Sequence, residues 1–485
     1  MAFAIPNPKR WWALTLLALA QFLVIMDTSI IGVALPEIQQ ALNFTQSDLS
    51  WVFNAYVIAF GGLLLLGGRP TDLYGARRIF LSGFAILTGA SLLTGLAETA
   101  NLLLVGRALQ GLGSALIAPA ALTLLMTLFA HDPKELTKAL ALYGAAAPAG
   151  GTAGVFLGGV LTEWLDWRWV FLVNIPIGLA VLAVSTSLLP PLASRRGSLD
   201  IAGALSVTAA LSLAVFAIVR APAVGWGTTE TIVELIAASG LLAAFAAIQV
   251  RRAEPLMPLT ILRAPNLAAA NAAMALLGAA WVPMWFFLNL YLQQVLGFGS
   301  FEGGAALLPM TLTIMLLMVG VTAKVIGRYG FKPTIIAGMV TLAAGMGLLS
   351  LVRPDGSFTV DVLSATLIAA VGMSLAYIPA MLAALSGAKP EQGGLASGIV
   401  NTTYQIGSAL GLAVMTAIAT GRGSDQIGNP AALVDGFSAA FLGAAAIALA
   451  GAGLTGLWLR TPRQLAERGP TASSSSRRKS RHGTN

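Results

Sequence analysis

Apolar runs long enough to cross a bilayer follow one another along almost the whole chain, and that leaves few folds open. A helix needs about 20 mostly apolar residues to span the hydrocarbon core. Backbone inside lipid must satisfy its own hydrogen bonds, so helices or a closed barrel are the available solutions. Fourteen runs of helical length are read at 13–35, 50–68, 79–97, 102–128, 139–160, 169–189, 200–220, 231–250, 267–295, 303–326, 333–352, 361–386, 397–419 and 437–459. The eighth is the least apolar at its start, where Glu230 and Glu234 stand. The segments between runs are too short for a soluble domain. The expected class is an all-α integral membrane protein.

Composition agrees and excludes alternatives. Residues are 57% hydrophobic and 10% charged, where a soluble domain carries about 25% charged residues. There is no cysteine, and the two histidines are His131 and His482. Disulfides, thiol catalysis, a metal centre and a histidine-based active site are therefore not expected. No phosphate-binding Gly-Lys-Ser/Thr loop is present, so neither ATP nor another cofactor is expected, and an enzyme is not the reading.

The net charge of +8 could suggest nucleic acid, but the cations sit between apolar runs, where they set topology. With the N-terminus in the cytoplasm and an even number of spans, nearly all of them face inward. Only Arg107, Arg168, Arg220, Arg353 and Arg422 do not. The first run has no clear small-residue cleavage site after it and reads as a retained span. The tail beyond Arg460, rich in Pro, Ser and Arg, reads as disordered.

A weak internal repeat divides the chain. The segment Gly67–Arg78 follows the second run, and Ile326–Pro333 follows the tenth, with Gly330 aligned on Gly75. Two such halves suggest a transporter with its site at their interface. The expected division is a cytoplasmic N-terminus (1–12), a six-helix bundle (13–189), two inserted spans with linkers (190–266), a second six-helix bundle (267–459) and a basic cytoplasmic tail (460–485).

Two charges lie deep in spans. Asp27 stands mid-run in the first, where a carboxylate is costly and points to function. Burial favours its neutral form and a nearby cation its charged form; a purely local role would have it bond hydroxyls such as that of Thr28. Arg107 stands in the fourth at about the same depth, roughly 8 Å in at 1.5 Å per residue. Two opposite charges at one level can pair, or the arginine can snorkel outward or bind backbone carbonyls. Asp200, Asp361 and Asp435 sit near span ends, and Glu302 precedes the tenth run.

Softer signals surround them. Gly67–Arg78 reads as a tight cytoplasmic loop in which Asp72 caps the next helix or pairs with an arginine. The fifth run carries Pro148, which invites a kink, and Gly154, Gly158 and Gly159, which allow close helix approach. Amides and aromatics suited to a cavity for amphipathic ligands stand in several runs: Asn54 and Tyr56; Trp285, Asn289, Tyr291 and Gln294; Asn401 and Gln405. Each fits helix–helix hydrogen bonding or an interfacial belt equally well.

At these residues the chain resembles the major facilitator superfamily, in its fourteen-span drug:proton antiporter branch. The first-span signature is similar to Met26-Asp27-Thr28-Ser29-Ile30-Ile31-Gly32-Val33-Ala34-Leu35-Pro36. The cytoplasmic signature is matched at Gly68, Asp72, Gly75 and Arg77, with Pro70 and Leu73 departing from it. The fourth-span signature is matched at Arg107, Gln110, Gly111 and Gly113. The antiporter signature reads Gly154-Val155-Phe156-Leu157-Gly158-Gly159, without its proline.

The resemblance implies the major facilitator fold: two six-helix bundles plus two inserted spans, fourteen transmembrane helices, both termini cytoplasmic. It implies export of amphipathic or lipophilic compounds against protons by alternating access, from the cytoplasmic membrane of a bacterium, with a monomer assumed. A dedicated exporter of an endogenous metabolite or lipid is the alternative. Asp27 and Arg107 would couple protons. Gly68, Asp72, Gly75, Arg77, Arg78, Pro148, Gly154, Gly158 and Gly159 would gate. Asn54, Tyr56, Gln110, Trp285, Asn289, Tyr291, Gln294, Asn401 and Gln405 would meet substrate. With no second deep acid, monocations, zwitterions and neutral compounds are expected over dications.

Overall fold

The computed structural model describes residues 9–129, 131–191, 200–252, 255, 266–386 and 393–460. The predicted tail and the linker cations Arg195, Arg196, Arg263 and Lys389 lie outside the described residues. Among those described, every regular element is a helix: α1 (Arg10–Ser29), α2 (Ile31–Leu42), α3 (Gln46–Tyr74), α4 (Ala76–Gly95), α5 (Ala100–Phe129), α6 (Pro133–Trp164), α7 (Trp169–Leu172), α8 (Asn174–Leu188), α9 (Ile201–Val224), α10 (Thr229–Arg251), α11 (Leu267–Leu290), α12 (Ser300–Gly320), α13 (Thr322–Tyr329), α14 (Phe331–Leu349), α15 (Ser364–Ser386), α16 (Gly393–Thr420) and α17 (Pro430–Trp458). Wide π-helical turns at Tyr291–Val295 and Phe358–Leu363 extend α11 and precede α15.

Each predicted apolar run falls on helix. Eleven helices are long and apolar enough to cross a membrane among the described residues, and shorter apolar stretches lie at Asp48–Leu64 and Leu205–Ile218. Glu230 and Glu234, the weak point of the eighth run, are neutralised at one end of α10 by Arg220, at 3.1 and 3.3 Å.

One expectation needs correction. Gly67–Arg78 is not a loop: α3 runs through both glycines and Pro70 to Tyr74, and the chain turns only at Gly75. Glycine permits a turn without requiring one, and Pro70 and Thr71 are buried in the packing along which the helix continues. Gly75 turns because its φ is +89°, and Gly330, its repeat partner, turns at +80° between α13 and α14; such angles are open to glycine at little steric cost. Helix continues past the first run, as α2 carries the chain on to Leu42 after one turn residue at Ile30.

Helices α1–α8 pack as one group, through α3 on α5, α4 on α5 and α1 on α6. Helices α11–α17 pack as another, through α14 on α15 and α17, and α11 on α16 and α17. The groups meet along two seams, α3 against α16 and α6 against α12. The α9–α10 hairpin stands beside the first seam, with α9 touching both α3 and α16.

Glycines set the closest approaches. A Cβ at Gly158 would lie 2.6 Å from the Ile30 carbonyl oxygen, within its own group. One at Gly159 would lie 2.7 Å from the Ser300 carbonyl oxygen, and one at Gly304 would lie 2.7 Å from that of Val155. The α6–α12 seam is therefore backbone against backbone. The fifth-run glycines thus divide: Gly154 and Gly158 seat α1 and α2, while Gly159 faces the other group. Pro148 lies inside α6, which continues past it to Trp164.

Candidate functional site

Asp27 ends the deepest part of α1 and is wholly buried. The hydroxyls beside it are not its partners: Thr28 and Ser29 donate to the Ile25 carbonyl at 2.7 and 3.0 Å. Its contacts come instead from α5 and α8. Arg107 Nη1 donates to Oδ2 at 2.9 Å. Gln110 Nε2 and Asn174 Nδ2 both donate to Oδ1, at 3.1 and 2.8 Å. Donors on both oxygens make up for lost water, because charge-assisted hydrogen bonds are the strong ones.

Arg107 is as fully buried as the acid it meets. Equal depth allowed the pairing; the α1–α5 contact brings it about. Nε donates to the Val52 carbonyl at 3.0 Å, and Nη1 also reaches Gln110 Oε1 at 3.0 Å. The guanidinium lies 4.6 Å from the centroid of the Tyr56 ring and 5.9 Å from that of Phe171. Tyr56 is steered away from Asp27, its hydroxyl donating to Ser114 Oγ at 2.8 Å. Gln110 Nε2 additionally donates to Ser91 Oγ at 2.9 Å. Five helices thus converge on one carboxylate. A guanidinium is planar, stays charged and offers several donors, so it can hold the acid and orient the amide at once.

Sequence reading missed Asn174, Ser91 and Ser114. Each is a small uncharged polar residue in an apolar run, a common device for joining helices. Asn174 is nevertheless the one amide of its run, which was the available signal.

The other predicted residues scatter. Gln110 and Tyr56 belong to the cage around Asp27. Asn54 and Asn289 are buried in helix packing, and Asn289 donates to the Trp285 carbonyl at 2.8 Å. Trp285 presses on Gly32 of α2, and Gln405 lies against Gly61 across the α3–α16 seam, with Asn401 one turn away on α16. Tyr291 is drawn to the rim opposite the N-terminus, here the far rim, where its hydroxyl donates to the Arg353 carbonyl at 2.8 Å. Arg77 is partly exposed and Arg78 exposed at the joint after Gly75; the side chain of Asp72 lies outside the described set, and so does the placement detail of Gly68.

Gln294 belongs to a clasp at that far rim. Gln293 Nε2 donates to the Val33 carbonyl at 3.0 Å, and Gln294 Nε2 to Gln39 Oε1 at 3.2 Å. Both amides, carried on the π turn that extends α11, reach α2, at points six residues apart. Ser300 Oγ donates to Glu37 Oε1 at 2.9 Å, and the Phe301 N–H reaches Glu163 Oε2 at 3.4 Å, so the start of α12 is held by two acids of the first group. A cavity of about 570 Å³ lies here, lined by Gln39, Gln40, Asn43, Gln293 and Gln294 among others.

The arrangement is a sealed ionisable pair beneath a closed rim, with no cluster of metal-ligating side chains among the described residues. The family model of the Major Facilitator Superfamily matches residues 17–412. The chain is 41% identical to the cephamycin export protein CmcT of Amycolatopsis lactamdurans, over 91% of either chain. It is 36% identical to the puromycin resistance protein pur8 of Streptomyces alboniger, over 89% of this chain and 87% of that one. Multidrug resistance protein Stp of Mycobacterium tuberculosis is 31% identical over 84% and 76%. In fold, it is similar to the human organic anion transporter MFSD10, with a TM-score of 0.64, 16% identity and coverage of 93% of this chain and all of that one. A helical fold spread over this many apolar spans, with a family match over most of its length, makes the chain a multi-pass membrane transporter, not an enzyme, and a member of the major facilitator superfamily.

Proposed function

We propose that this transporter exports amphipathic or lipophilic compounds in exchange for protons, by alternating access. The carrying observation is Asp27, a wholly buried carboxylate with a guanidinium at 2.9 Å. Such a group can be neutral or charged at a cost set by its cage, and so can tie proton uptake to conformation. The relatives named for antibiotic export and multidrug resistance support the direction of transport.

In this reading fourteen spans cross the membrane, both termini are cytoplasmic, and the far rim faces outside. The helix groups 13–189 and 267–459 rock about the two seams. The far-rim clasp holds the outside shut, and opening it exposes Asp27 to external protons. Arg107 relays the change through α5. Gly159 against Ser300 and Gly304 against Val155 form the close part of the outer gate, with Gly154, Gly158 and Pro148 shaping α6. Gly68, Asp72, Gly75, Arg77 and Arg78 latch the cytoplasmic side. Substrate meets Trp285, Asn401 and Gln405 along the seams, with Asn54, Tyr56, Gln110, Asn289, Tyr291 and Gln294 responding behind them.

The test is drug-evoked proton movement in proteoliposomes. The expected result is loss of that movement in Asp27→Asn with drug binding retained; unchanged pH-dependent transport in this variant would end the coupling role. Export of one endogenous metabolite is the second reading, favoured by the 41% identical relative named for export of a single antibiotic. A transport screen in inverted vesicles decides between them: many unrelated compounds moved supports the first, one alone the second.

A further inference from the structure

The cage around Asp27 is built for a carboxylate, and only one of its members is free to serve the acid. Arg107 can only donate. Gln110 is fixed in orientation, because its Oε1 must face Arg107 Nη1 at 3.0 Å and its Nε2 is committed to Asp27 and to Ser91. Tyr56 is held by Ser114. Among these, Arg107 and Tyr56 are the charged and titratable groups facing Asp27 from α5 and α3. If Asp27 gains a proton, none of them offers an acceptor to its new O–H.

Asn174 does. Its Nδ2 makes one hydrogen bond, to Asp27 Oδ1 at 2.8 Å. Its Oδ1 is buried and has no partner. A buried amide oxygen left alone costs free energy, on the order of 1–3 kcal/mol in general, and needs a reason. Half a turn about its terminal bond would exchange the two ends: Oδ1 would accept from a protonated Asp27, and Nδ2 would take the empty place. Nothing else ties the amide, and its two ends are nearly equal in size, so the exchange needs little extra room.

We propose that Asn174 is the positioning residue that reads the proton on Asp27, its side-chain amide pointing nitrogen-first at the carboxylate and oxygen-first at the acid. The proton arrives from water on one side of the membrane and leaves to the other; Asn174 neither gives nor keeps it. Asn174 is the first residue of α8, next to the turn at Val173, so the flip is felt where that span is interrupted. This rests on Asp27 being the proton carrier.

The test is the infrared difference spectrum of the full-length transporter in liposomes, low pH minus high pH. The expected wild-type spectrum pairs a protonated-acid carbonyl band, absent in Asp27→Asn, with an asparagine amide band that shifts on asparagine isotope labelling. Both Asn174→Leu and Asn174→Thr should abolish that amide band. Asn174→Leu should move the Asp27 carbonyl to higher frequency and lower drug-evoked proton release about tenfold, the effect of an unpaired buried hydrogen-bonding group. The wild-type labelling result stands even if a variant fails to fold. An Asp27 band with no accompanying asparagine band overturns the role of Asn174 alone. An acid band that survives in Asp27→Asn overturns the proton-carrier reading beneath it.

Discussion

Two arginine–aspartate pairs in this transporter have the same nitrogen–oxygen distance, 2.9 Å, and opposite surroundings. Arg107 and Asp27 are buried in mid-span, with side chains 0% and 1% exposed. Arg353 and Asp361 sit at the far rim, where the arginine side chain is 57% exposed. Asp361 also accepts from the Ser357 N–H at 2.8 Å, a local bond that closes a turn. The difference teaches that distance does not mark a functional ion pair. Water can take the place of the exposed Arg353, and Asp361, its side chain only 6% exposed, would keep the Ser357 N–H as a partner. In the buried pair each charge depends on the other, so removing one strands its partner.

That dependence can be broken in order of expected effect. Asp27→Asn is expected to bring drug-evoked proton movement down to background in proteoliposomes, the largest loss. Arg107→Leu leaves a buried carboxylate unpaired and should lower stability by about 3–5 kcal/mol, measured by thermal unfolding in detergent at neutral pH. Combining it with Asp27→Asn should recover most of that stability and none of the coupling; recovery of coupling would contradict the relay. Gly159→Val pushes a side chain into the α6–α12 backbone contact and should cost about 1–3 kcal/mol as overpacking. It should also raise labelling of a single cysteine placed at Phe301. Arg353→Ala should leave both transport and the unfolding midpoint unchanged, which would make it the control for the buried pair.

The rim offers a pH test with a defined sign. Burial pushes the Glu37 carboxyl above its ordinary range, Ser300 pulls it back, and the nearby charges of Asp166 and Glu163 push it further. A carboxyl raised in the closed rim is one the closed rim prefers neutral. Its contribution to closure is therefore present at low pH and lost as pH rises through the raised value. Glu37→Gln keeps an acceptor for Ser300 and removes the repulsion. Rim closure, followed by cysteine labelling, should become independent of external pH between mildly acid and neutral.

How much of this was legible in the sequence depended on how loud each residue is. A lone charge in an apolar run is loud, and Asp27 and Arg107 could be named with their depth. Their contact could not, since pairing needs α1 and α5 turned face to face over a separation of 80 residues. Asn174, 147 residues from Asp27, speaks no louder than any amide that joins helices. Gly67, Gly68 and Pro70 spoke misleadingly, because such residues permit a turn without requiring one, and α3 runs through all three to Tyr74. The two glutamines at the clasp were hidden for another reason: their partners on α2 lie 260 and 255 residues away in the chain.

The α9–α10 hairpin has a consequence for the membrane around the protein. Thr208 of α9 donates to the Gly62 carbonyl at 3.0 Å, and Phe216 meets Trp51 with ring centroids 5.7 Å apart, so α9 is keyed to α3. It also touches α16. A rigid rod cannot stay in register with two surfaces that shift against each other. In the proposed alternating-access motion α9 would ride with α3 while α16 slides beneath it, as a sash slides under its weatherstrip. A lipid or drug molecule approaching that seam from the bilayer meets the strip before it meets the joint.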